Sequence, residues 1–219
     1  MSFRLLFVDE LRGFAKSRIM IVLWFGLPLL TLTLRLLVPA AEGLSHLQLV
    51  SVVIASVGGT LSAVMLGTTT TSERNRSVYD LFLIRPVSRR DLILAKFTAG
   101  LSSLITAVLI SVAVGTIVDL VAGNLSGGVA RGIAESIVLS VTGIATACSV
   151  GLLFGTIFDS VAVTAILSVY LGNQLSSLVL LPGVFLPRLD PLLFSSVAGV
   201  AACAIVLAIT IYVFERKSL

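Results

Sequence analysis

Residues 73–96 read ERNRSVYDLFLIRPVSRRDLILAK. This long polar interval interrupts a chain that is otherwise a succession of apolar segments. It holds six of the fifteen basic residues, namely Arg74, Arg76, Arg85, Arg89, Arg90 and Lys96. Ser77 and Asp80 have capping-box spacing, in which a serine accepts from free helix N–H groups and the acid answers back. A short apolar helix over Leu81 to Ile84 is expected to follow. Pro86 ends it, because proline lacks the donor and pushes the preceding residue out of helical geometry. Ser88 and Asp91 repeat the spacing and launch a long apolar helix. A short helix between two long ones, rich in arginine, suits a docking element on the cytoplasmic side of a membrane.

Working outward, the 219 residues are 57% hydrophobic and only 12% charged, with a mean hydropathy of +1.12. A soluble domain needs about a quarter of its residues charged to cover its surface. The chain therefore reads as a polytopic membrane protein. Its net charge of +4 is explained by where the basic residues fall, and no nucleic-acid partner is expected. Cys148 and Cys203 lie inside apolar runs, where cysteine behaves as a small hydrophobe. With the single histidine, His46, they make neither a disulfide framework nor a zinc site.

The fold expected is all-α with six spans, at about 19–38, 48–71, 92–118, 132–157, 160–181 and 194–214. Each is close to the ~20 residues needed to cross the hydrocarbon, where only helices satisfy their own backbone. Residues 1–18 form a separate unit. There Phe3, Phe7, Leu11 and Phe14 share a helical face, and Arg4, Arg12 and Lys16 take the others. Such a helix lies along the inner leaflet with its cations near anionic lipid. Lysine and arginine bias fixes the orientation: twelve of the basic residues fall on the side of both termini, and Arg35, Arg131 and Arg188 on the other. Both termini are therefore expected in the cytoplasm of a cell-membrane protein. Pro182, Pro187 and Pro191 in the outer connection predict broken, re-entrant helices around 175–193.

Three spans carry a small residue at every fourth position. They are Ala55, Gly59, Ala63, Gly67 and Thr71; Ala95, Ala99, Ser103, Ala107, Ser111 and Gly115; and Gly143, Ala147, Gly151 and Gly155. Lipid gives helices no hydrophobic reason to associate, so close approach through small side chains supplies the packing. Bundle packing accounts for most of this, and one seam is available for a dimer. Thr68 and Thr71 close the second span, and Asn173 with Gln174 stands inside the fifth. An amide pair in lipid needs partners, so these four are candidates for a translocation path or a dimer interface. Asp119 and Glu135 sit near outer helix ends, where a charge is far less costly than at mid-membrane, which favours a structural role.

The loop also resembles a known family. Permease subunits of type-2 ABC exporters carry an acid and a base, a small residue, an acid with leucine, then Pro-Val/Ile-Ser-Arg, an acid, an aliphatic pair and lysine. Here these are Glu73, Arg74, Ser77, Asp80, Leu81, Pro86, Val87, Ser88, Arg89, Asp91, Leu92, Ile93 and Lys96. The resemblance implies that residues 73–91 form a coupling helix seated in a groove of a separate cytoplasmic ATPase subunit. Tyr79, Leu81, Phe82 and Leu83 would fill the groove, and Arg74, Arg76, Arg85 and Arg89 would meet its rim or lipid headgroups. It further implies pairing with a second permease copy or close paralogue, with ATP and Mg bound by the ATPase partner. This chain has no GxxxxGK[ST], HExxH or GxSxG, so no catalytic, metal or cofactor-binding residue is assigned to it. Two other readings are an ATP-independent ion channel or secondary carrier, and a membrane scaffold without transport. The first wants ionisable groups at mid-depth, and the second leaves Asn173 and Gln174 without a task.

Overall fold

The computed structural model describes residues 3–37, 46–76, 88–121, 129–185 and 190–216. They form seven helices: α1 (Phe3–Lys16), α2 (Arg18–Leu37), α3 (His46–Asn75), α4 (Arg89–Val121), α5 (Val129–Ile157), α6 (Val161–Phe185) and α7 (Pro191–Arg216). Six of them, α2 to α7, are long and apolar enough to cross a membrane, and no strand occurs among the described residues. The chain is thus an all-α, six-span membrane protein. The expected docking helix, with Ser77, Tyr79, Asp80, Leu81, Phe82, Leu83, Arg85 and Pro86, lies outside the described residues, as does the stretch 38–45.

Helix ends follow local chemistry. The Asp91 N–H bonds the Ser88 hydroxyl oxygen at 3.1 Å, so Ser88 caps α4 as its spacing predicts. Ser160 stands in the same relation to the Val163 N–H at 3.5 Å, and Asp190 accepts from the Leu192 N–H at 3.3 Å. α3 and α4 run past their expected bounds, to Asn75 and back to Arg89, because their polar ends find partners on other helices.

Of the expected re-entrant stretch, residues 186–189 lie outside the described residues, and the rest shows no break at Pro182. α6 continues unbroken through Pro182 to Phe185, and α7 is already helical at Pro191. Pro182 falls near the end of α6, where it forfeits one backbone bond. Breaking a helix inside lipid would strand several polar groups, so the single loss is the smaller cost.

α3 and α5 form the spine, and their small-residue seams face each other. A Cβ on Gly59 would lie 3.1 Å from the Ala147 Cβ, and one on Gly155 would lie 3.2 Å from the Gly67 Cα. Cys148 and Leu152 of α5 and Leu66 of α3 carry the contact outward into the main core. The third seam turns toward α2, where the Trp24 indole Nε1 donates to the Ser103 carbonyl at 3.1 Å. All three seams are buried within the chain, so none is left over for a dimer. α1 packs on α4 with Leu6 and Phe14 buried, while Arg4, Arg12 and Lys16 stay exposed.

Candidate functional site

Residues 77–87 connect α3 to α4, and the helix ends around them make a polar collar. Its centre is Lys96, whose side chain is 0% exposed although it lies within a span. Its ammonium donates to both Glu73 carboxylate oxygens, at 2.8 and 2.7 Å. It also meets Glu10 at 3.3 Å and lies 5.9 Å from the Phe14 ring centre. One buried cation thus ties α1, α3 and α4 together just before the loop begins.

Two carboxylates share this single ammonium, and Glu73 holds it more closely. Burial pushes the Glu10 carboxyl above its ordinary 4.5; Lys96 opposes the shift, and the charges of Glu73 and Asp9 add to it. A raised folded pKa contributes stability that is present below the unfolded value and is lost as pH rises through the folded one. Glu10→Gln, which mimics the protonated acid, should therefore flatten the fall in thermal stability as pH rises above the ordinary carboxylate range. Equal slopes for variant and parent would contradict this.

Arg74, expected at the ATPase rim or among lipid headgroups, turns inward. Its side chain is 7% exposed and its guanidinium closes on the turn between α5 and α6. It donates to the carbonyls of Thr156 and Phe158, the latter at 2.7 Å, and pairs with the Asp159 carboxylate. Asn75 adds a bond to the Asp159 carbonyl at 2.7 Å. The last carbonyls of a helix have no partner within it, and a guanidinium fork satisfies several while matching the helix dipole.

Beyond the loop, Arg89 donates to the carbonyls of Phe214 and Glu215 at 3.3 and 3.4 Å. Arg90 pairs with the Glu215 carboxylate, and Arg216 stacks over Tyr212 at 4.4 Å. Arg76 is exposed. Arg89 therefore also bonds within its own chain.

The four candidates for a path or interface separate. Thr68 donates back to the Val64 carbonyl at 2.7 Å. Thr71 is buried, 3.0 Å from the Thr164 hydroxyl and 3.3 Å from the Gly155 carbonyl, so it belongs to bundle packing. Asn173 accepts from the Ser56 hydroxyl at 3.1 Å, which joins α3 to α6 inside the chain. Gln174 turns outward instead, beside a groove of about 620 Å³ lined by Leu153, Phe154, Leu171, Leu178 and Val206.

At the far end of the bundle the charges among the described residues are paired. Arg35 of α2 grips Asp119 of α4 with both guanidinium nitrogens. Glu135 accepts from Arg131 at 2.9 Å and from Gln48 at 3.1 Å, and Arg131 reaches Asp190 at 3.0 Å. Asp119 and Glu135 are thus structural, as their depth suggests.

Sequence reasoning placed Arg74, Arg90 and Lys96 at this end but missed Asp159, Glu215 and Glu10 as their partners. The available signal was Lys96 itself: a cation inside an apolar helix needs a carboxylate. Among curated proteins, none matches the chain. The family model described as ABC-2 family transporter protein matches residues 27–215. With six spans beneath that match, the chain belongs to the ABC-2 transporter family, as a multi-pass permease of an ABC transporter that associates with ABC ATPase subunits.

Proposed function

We propose that this permease forms the translocation path of an ATP-driven exporter, as one of two membrane subunits set above separate ATPase subunits. The observation that carries the reading is the setting of residues 77–87. Both helices that flank this loop are held to the rest of the bundle close to where they meet it, α3 through Arg74 and α4 through Arg89. A loop mounted this way transmits displacement; a loosely tethered one would absorb it. The basic bias places the loop and both termini in the cytoplasm, where ATP and Mg are bound by the partner. Tyr79, Leu81, Phe82 and Leu83 fill its groove, and Arg76, exposed just past the end of α3, meets its rim together with Arg85.

The outward stripe of α6 supports pairing. Ile166, Tyr170 and Leu178 are exposed along it with Gln174. A phenol and an amide on a lipid-facing stripe lack partners, whereas a second copy or a solute path between two copies supplies them. Changing Leu81 and Phe82 to Asp and purifying the complex tests the docking. Loss of the ATPase subunits from folded, monodisperse permease is expected. Retention at parental stoichiometry would refute it.

A further inference from the structure

The loop's two attachments reach beyond the helices it joins. Arg74, at the end of α3, is bonded to the α5–α6 turn, and Arg89 and Arg90, at the start of α4, are bonded to the end of α7. Apolar packing reinforces the second attachment: Leu92 and Ile93 of α4 bury against Phe214 and Ile211 of α7, in a cluster separate from the main core. Each contact joins elements far apart in sequence, and each sits where helix gives way to loop. We propose that Asp159 and Glu215 are positioning residues of a yoke, through which loop movement is delivered to spans four, five and six as well as to spans two and three. The inference rests on the docking reading above and extends it to the C-terminal half.

The chemistry favours transmission over plain anchoring. An arginine that only marks the cytoplasmic side needs headgroups or water. Arg74 instead spends its fork on a neighbouring helix end, and its side chain is almost wholly buried. Arg89 contacts the main chain of α7, so a shift of α4 moves that backbone directly. Ser88 keeps α4 helical up to the loop, which leaves little slack between push and response.

The test uses the permease–ATPase complex in lipid nanodiscs, with Cys148 and Cys203 replaced by alanine. Spin labels at Leu193→Cys, near the far end of α7, or Val121→Cys, at the far end of α4, report the distance between the two copies. The readout is its shift when Mg-ATP and vanadate are added. In the parent, both labels should shift. Arg90→Glu should shrink the α7 shift while the α4 shift and the bound ATPase persist, and adding Glu215→Arg should restore it. An α7 shift unchanged by Arg90→Glu, or a swap that restores nothing, overturns the yoke and leaves docking intact. Loss of the ATPase subunits in Arg90→Glu overturns it too, by placing Arg90 in the docking surface. A parent with no shift at either label counts against the docking reading and the yoke together.

Discussion

Gly151→Ala is expected to abolish monodisperse permease, the largest effect of a single methyl group among the described glycines. A Cβ on Gly151 would run into the Ala63 carbonyl oxygen and come within 2.8 Å of the Ala63 carbonyl carbon and Cα. These are main-chain atoms of α3, so no side chain can swing aside, and the whole α3–α5 spine has to part. Overpacking a dense core costs about 1–3 kcal/mol where side chains can adjust, and more where they cannot. The loss should be roughly 3 kcal/mol or more on that scale, a large share of a marginal total. Fluorescence-detected size exclusion before and after heating measures it. Gly26→Ala is the control: its Cβ would meet only Val22, 4.0 Å away on the same helix. If Gly151→Ala and Gly26→Ala melt alike, the spine is not built on backbone contact.

The second large effect belongs to Glu73. Lys96 is 0% exposed, whereas the side chains of Glu10 and Glu73 keep 26% and 32% of their exposure. That asymmetry decides which loss hurts more. A carboxylate that loses Lys96 recovers water, whereas Lys96 without Glu73 keeps only the longer contact with Glu10, whose charged form burial disfavours. Removing one partner of a buried ion pair costs about 3–5 kcal/mol, so Glu73→Ala should approach that range and exceed Lys96→Met. Neutralising the cluster with Lys96→Met, Glu73→Gln and Glu10→Gln should recover most of the loss, because burying charge carries its own cost. Apparent melting temperatures of the purified variants order the three. A Glu73→Ala variant as stable as the parent, or less affected than Lys96→Met, would contradict the account.

The spans and their packing faces were legible because both depend on composition along one helix. Hydropathy locates α2 to α7 to within a few residues. The fourfold spacing of Gly59, Ala63 and Gly67, and that of Ala147, Gly151 and Gly155, marks the faces through which helices pack. Which seam meets which was not legible, since Ala95 to Gly115 repeats the same pattern and packs toward α2. Ion pairs were less readable still. Arg74 and Asp159 lie 85 positions apart, and nothing local to Arg74 separates a helix-end cap from a cytoplasmic anchor. The prolines misled for a related reason. Pro182 has the chemistry to break a helix, yet the outcome turns on how near the helix end it falls and on the solvent around it.

Trp24 is the sole tryptophan, and its indole is hydrogen-bonded across to α4. The permease consequently carries an intrinsic optical gauge at one junction, that between its first and third spans. Ultraviolet emission follows that junction with no dye or engineered cysteine, provided a partner's own indoles are replaced.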